Sequence, residues 1–129
     1  MMMRGAAVMV IMVSLSSAMF FFLASGYEFY ALCNKAKFPD TNPLESAAEA
    51  ALANLVNGEV AGLHRCADGT SDIYTMHGEA SCGSSDGCDD CLNAAKSYLL
   101  LICSGHLGGQ AHDNSGYCSI RFENYIFCT

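Results

Sequence analysis

The chain has 129 residues, eight cysteines, no tryptophan, and thirteen acidic against six basic residues, for a net charge of −7. A surface of that sign repels phosphate backbones and anionic lipid headgroups, which argues against nucleic-acid and electrostatic membrane binding and excludes cationic membrane lysis. The length allows one modest domain.

The first segment, MMMRGAAVMVIMVSLSSAMFFFLASG, carries one charge at Arg4, an apolar run to Leu23, and then the small residues Ala24, Ser25 and Gly26. This is the layout of a secretory signal peptide over residues 1–26, cleaved after Gly26. A run of that length would also cross a bilayer of roughly 30 Å. The small residues at the right place and the lack of a flanking basic cluster favour the signal peptide. Membrane contact would then end with the cleaved leader, and residues 27–129 form a single secreted domain. Loss of Arg4 leaves five basic against thirteen acidic residues, a net charge of −8. All eight cysteines fall in this part. An even number in a short secreted chain reads as four disulfides, but eight cysteines allow about a hundred pairings and counting cannot choose among them. No asparagine heads an N-x-[ST] triplet, so no N-glycosylation is expected.

In chain order, the aromatic stretch YEFYAL before Cys33 predicts a short strand leading into the loop NKAKFPDTN. Asn42 has the character of an N-cap, with Pro43 in the first helical position and Glu45 three residues after the cap. Leu44, Ala48, Ala51, Leu52 and Leu55 recur at helical spacing, and Gly58 stands where a left-handed cap would end the helix, so a first helix is expected over about 44–57. VAGLHRCA and DIYTMHGEASC predict paired antiparallel strands, with DGTS as the turn between them.

A second helix is expected from a cap at Asp86 to about Ser104, stopping at Gly105, with Asp89 and Asp90 complementing the dipole of its first turn. Its buried stripe would be Cys88, Cys91, Leu92, Ala95, Leu99, Ile102 and Cys103. GGQAHDNSG reads as a polar loop. The final YCSIRFENYIFC alternates, with Cys118, Ile120, Phe122 and Ile126 on a core face and Tyr117, Ser119, Arg121, Glu123 and Tyr125 on a face for solvent or ligand.

Cys88-Asp89-Asp90-Cys91 has the spacing of a redox dithiol or half a zinc site. A reactive thiolate needs positive surroundings, and two aspartates between the sulfurs supply the opposite. Zinc would need two further ligands. His64, Cys66, His77 and His106 are available, but no second pair has structural zinc spacing and the secretory route oxidises thiols. No G-x-S-x-G or other nucleophile arrangement occurs, and a paired-carboxylate glycosidase site has no support beyond the abundance of acids. Neither catalysis, metal nor cofactor is expected.

CDDCLNAAKSYLLLICSG followed by a glycine-rich loop and YCSIRFENYIF resembles the ginkbilobin-type antifungal and salt-stress-response domain of land plants, which also forms the ectodomains of cysteine-rich receptor-like kinases and plasmodesmata-located proteins. The likeness spans nearly all of residues 27–129. The Cys91-x11-Cys103 register matches the family, whereas its usual C-x8-C-x2-C is shortened to five residues between Cys82 and Cys88. The resemblance implies an α+β fold of two helices packed on a roughly five-stranded antiparallel sheet. It also implies the bridges Cys33–Cys103, Cys82–Cys88 and Cys91–Cys118, leaving Cys66–Cys128 as an extra pair.

Some family members bind mannose through an asparagine after the first cysteine, an arginine in the loop after the second helix, and a glutamate on the last strand. Here these positions hold Asn34, Gln110 in place of the arginine (or His112, counting back from Cys118), and Glu123. Asn34 could equally cap a turn and Glu123 could pair with Arg121. The resemblance thus implies a secreted, extracellular plant defence or stress protein binding mannose-type cell-wall glycans, with antifungal activity. The alternative is an apoplastic protein-interaction module using the sheet, loop 105–117 and the aromatics Tyr117 and Tyr125.

Overall fold

A computed structural model describes residues 26–37, 42–56 and 62–129. The expected leader up to Ser25, Pro39 of the first loop, the Gly58 cap, and Val60 and Ala61 of the first hairpin strand lie outside these residues. The elements are β1 (Phe29–Cys33), α1 (Asn42–Val56), β2 (His64–Ser71), β3 (Tyr74–Cys82), α2 (Cys88–Ile102), β4 (Gly108–Asp113) and β5 (Cys118–Glu123). The five strands form one sheet in the order β1-β4-β5-β3-β2, every pair antiparallel. Both helices lie on one face, α1 over β2 and β3, and α2 over β4 and β5. Among the described residues, no helix is long and apolar enough to cross a membrane.

The core forms where the helix stripes meet the inward side chains of the strands. Ala47, Ala48, Ala51, Leu52 and Leu55 of α1 and Leu92, Ala95 and Leu99 of α2 are buried against Met76, Ala80, Ala111, Ile120 and Phe122. Each buried Leu, Met, Ile or Phe contributes about 1.5–3 kcal/mol by leaving water. The alanine-rich face of α1 brings its backbone close to β2. Gly69 sits in that contact: a Cβ there would lie 2.1 Å from the Ala51 nitrogen and 2.4 Å from the Ala47 oxygen. Gly69 is therefore a packing residue inside a strand rather than part of a turn. The expected turn over DGTS is corrected accordingly: β2 runs through it, and Asp72 and Ile73 make a two-residue turn with Asp72 at φ 60°.

Two polar contacts clamp the helices at opposite ends. Buried Arg65 donates from Nη1 to the Leu55 carbonyl at 2.8 Å and to Asp89 Oδ1 at 2.8 Å, joining the end of α1 to the first turn of α2. Its Nε donates to the Gly62 carbonyl at 2.8 Å. At the other end, Ser104 Oγ and the Gly105 N–H donate to Glu45 Oε2, both at 3.2 Å. Glu45 and Asp89 lie in the first turns of α1 and α2 and Arg65 at the last turn of α1, each a charge opposite to the polarity of that helix end.

The start of α2 differs from expectation. Its cap position is Gly87 at φ 70°, without a side-chain cap, and the Cys82–Cys88 bridge fixes the first helical residue where Asp86 was expected to act. Ile102, expected in the buried stripe, is 39% exposed, while Leu99 and Cys103 to either side of it stay buried against β4. GGQAHD is strand β4 and not a loop; a Cβ at Gly109 would sit 2.8 Å from the Cys103 sulfur, so glycine lets this strand slide under α2. The last strand stops at Glu123. Residues 124–129 leave the ladder and cross the outer sheet face until Cys128 bonds Cys66 on β2, which leaves Ile126 69% exposed rather than in the core.

Replacing Gly69 with alanine should destabilise the domain by about 1–3 kcal/mol or more, because both neighbours of the new methyl are backbone atoms that cannot yield. Denaturant unfolding of the oxidised protein checks this. Arg65→Ala should cost about 1–3 kcal/mol, since it leaves the buried Leu55 carbonyl without its donor. The same measurement on Asp89→Asn should show a much smaller loss, because Asp89 is largely exposed.

Candidate functional site

Asn34 follows directly on β1. Its backbone N–H donates to the Gly108 carbonyl at 2.8 Å, and its Oδ1 accepts from the Ala36 N–H at 3.1 Å, the side-chain turn that asparagine favours after a strand. The free end of the amide, Nδ2, points at Glu123 Oε1, 3.5 Å away. Glu123 is the last residue of β5, paired with Gly108 on one side and His77 on the other. A Cβ at Gly108 would lie 2.1 Å from Glu123 Oε1, so the missing side chain at 108 is what admits the carboxylate against the sheet. Glu123 is consequently only 6% exposed. Its other oxygen, Oε2, accepts from Arg121 Nε at 3.0 Å. Asn34 thus caps a turn and also reaches Glu123, and Glu123 pairs with Arg121 while facing Asn34.

Gln110 lies on β4 directly opposite Arg121 in the ladder. Its Oε1 is taken up by His112 Nε2 at 2.7 Å, and the His112 ring stacks on Tyr30 of β1 at 5.2 Å between centroids, 16° from parallel. Asn34 and Glu123 are therefore in contact, while Gln110 stands one strand away beside the arginine. His112, the other position considered, lies further along β4 and supports Gln110.

Arg121 is the residue that sequence reading passed over as a possible replacement for the missing family arginine. It is half-buried, its Nη2 donates to the Tyr125 hydroxyl at 3.1 Å, and its guanidinium lies 4.1 Å from the centre of the Phe127 ring. Burial works against its charge, but the hydrogen bond and charge of Glu123, followed by those of Tyr125, outweigh this and raise its pKa above the ordinary arginine value. The signal that could have found it is cross-strand register: Gln110 and Arg121 occupy one rung, so a charge on β5 stands directly beside position 110 of β4. Asn34, Glu123 and Arg121 together offer amide, carboxylate and guanidinium groups, the set that satisfies adjacent hydroxyls. Each carboxylate oxygen of Glu123 retains a lone pair for a further donor.

The eight cysteines form four bridges: Cys33–Cys103, Cys66–Cys128, Cys82–Cys88 and Cys91–Cys118. Cys88 and Cys91 thus belong to different bridges, so the C-x-x-C is neither a dithiol nor half a metal site here. A widely open hollow of about 850 Å³ lies elsewhere, among Tyr27, Glu28, Asp86, Asp113 and Tyr117. Tyr117 precedes β5 and packs half-buried on the core, its hydroxyl 3.1 Å from Ser84 Oγ. Tyr125 lies beyond the strand, half exposed. The Tyr27 hydroxyl is held above the usual tyrosine pKa by burial first and then by Asp90, Tyr117 and Asp113.

No known protein family and no curated protein matches the sequence. Solved structures do match. The tandem DUF26 ectodomain of the cysteine-rich receptor-like protein PDLP8 from Arabidopsis thaliana superposes with a TM-score of 0.59 at 16% identity, covering 75% of this chain and 45% of that one. The corresponding ectodomain of PDLP5 from the same plant gives 0.57 at 25% identity, covering 74% of this chain and 44% of that one. The chain spans less than half the length of either. The chain therefore shares its fold with the cysteine-rich DUF26 ectodomains, and four disulfides staple that fold here.

Proposed function

We infer that this domain is secreted to the apoplast and binds mannose-type cell-wall glycans without catalysis, serving defence or stress responses with antifungal activity. The observation that supports the reading is the continuous set Asn34–Glu123–Arg121 on the outer face of the sheet, with Gln110 on the neighbouring strand. A shallow sugar site needs a few convergent donors and acceptors that satisfy vicinal hydroxyls, held by a rigid scaffold. The sheet ladder supplies the rigidity. Arg121 supplies the charge-assisted donor that the family places at position 110, and the half-exposed Tyr125 ring beside it offers an apolar face for the sugar ring.

The second reading, a protein-interaction module, draws on the β1 margin of the same outer face. β1 is an edge strand whose outward residues Tyr30 and Leu32 are 49% and 58% exposed. An apolar edge suits strand addition or a partner face. Loop 105–117 contributes less than expected to such a face, because Gly108–Asp113 within it form strand β4 inside the sheet.

On a mannan column the oxidised protein should be retained and released by free mannose. Glu123→Ala should weaken retention by about tenfold or more, the equivalent of a charge-assisted hydrogen bond of about 1.5–3 kcal/mol. Arg121→Gln should do the same, with circular dichroism confirming an unchanged fold. Flow-through of the wild type would end the glycan reading. For the interaction module, a Leu32→Lys variant that still captures the same apoplastic proteins as the wild type would rule out the β1 edge.

A further inference from the structure

The Cys66–Cys128 bridge is unlike the other three. In each of those at least one cysteine is buried in the core, whereas Cys66 and Cys128 are both partly exposed and lie outside it. An open pocket of about 400 Å³, lined by Asp68, His77, Ile126 and Thr129 as well as both cysteines, gives solvent access to the bond. The bridge also sits beside a histidine. His64 and Cys66 are two residues apart on β2, so their side chains leave the same, outer face of the sheet. His64 Nε2 lies 3.9 Å from Cys128 Sγ, and the ligand atoms of His64, Cys66 and Cys128 all fall within 4.8 Å of one another. Glu79, opposite Cys66 on β3, brings its Oε2 to 2.8 Å from the same His64 nitrogen.

We propose that Cys66 and Cys128 are a reducible pair which, once opened, forms with His64 a binding site for a thiophilic divalent cation of the zinc class, Glu79 filling the fourth position. Across a tetrahedral zinc a thiolate sulfur and an imidazole nitrogen stand about 3.6 Å apart and two thiolate sulfurs about 3.8 Å apart. The His64–Cys128 separation of 3.9 Å is already near the first figure. The second is reached when the bond opens, because Cys128 lies on a segment with no ladder bonds of its own and can swing back by that amount. The reductant is a thiol: two thiol molecules donate two electrons to the Cys66–Cys128 bond, leave as one disulfide, and transfer two protons to the released sulfurs. Cation binding then expels those two protons, while His64 Nε2 exchanges its contact with Glu79 for the metal. The other three bridges keep the core closed throughout, so the site is gained without unfolding. Closed, the segment is strapped to the sheet by sulfur; open, it is strapped by metal.

The experiment takes the mature oxidised protein through a graded dithiothreitol titration, with alkylation and peptide mass mapping to identify which cysteines open first. Co2+ is then added after removal of the reductant. Cys66 and Cys128 should be alkylated before any other pair. One Co2+ per chain should bind with a thiolate-to-cobalt charge-transfer band, and circular dichroism should match the oxidised form. His64→Ala should weaken Co2+ binding by about tenfold or more, and a Cys66→Ser, Cys128→Ser double variant should show no such band. Earlier opening of another bridge, absence of the band after selective reduction, or undiminished binding by His64→Ala would each overturn the proposal.

Discussion

The structure depends on how near the helices come to the sheet. The methyl side chains of Ala47 and Ala51 allow α1 to rest its backbone on β2, and only glycine at 69 can complete the contact. At the other end of the sheet, Gly109 lets β4 pass beneath Cys103 of α2. A close approach removes water efficiently for little side-chain volume, which suits a domain of this size with few large apolar residues in its core. It also fixes helix positions sharply, since a shift of even part of an ångström brings backbone atoms into collision. Arg65 and Glu45 hold the two helices at opposite ends, where each charge answers the local polarity of a helix terminus.

Because the inner face carries the helices, the outer face of the sheet is the one they leave uncovered. Register places Asn34, Gly108 and Glu123 along one row and Gln110 and Arg121 along the next. Glycine acts here in a different way from its role in the core: Gly108 makes room for a carboxylate instead of a helix. The final segment adds Tyr125 and Phe127 around Arg121, so a charge that would otherwise extend into solvent is held in one direction. The disulfides divide along the same boundary, with three fastening the core and Cys66–Cys128 fastening the segment that borders the site.

Much of this is legible in the sequence where side-chain period decides. The two helices follow from apolar spacing, and β1, β3 and β5 from their alternating or aromatic runs. The reading fails where glycine serves packing. DGTS has the composition of a turn because the strand must be bare under α1, and GGQAHD has the composition of a loop because β4 must be bare under Cys103 and beside Glu123. Turn chemistry and close-packing chemistry use the same residue, and local composition does not separate them. The proposed site is half legible for a related reason. Asn34 and Glu123 can be placed by motif, but the use of Arg121 depends on which residue of β5 faces Gln110, and that is set by long-range register.

The cross-sheet bond from Cys128 to Cys66 also decides how the domain bears mechanical load. Tension applied to the chain beyond Cys128 cannot peel β5 from the sheet, because it passes through sulfur to β2 at Cys66. Residues 67–127, holding β3, α2, β4 and β5, become a closed loop outside the force path. The load runs instead back along the chain from Cys66 through α1 to Cys33. Pulled between its ends, the domain would give up α1 and the strand margins first, while the strands that carry Glu123 and Arg121 stayed slack.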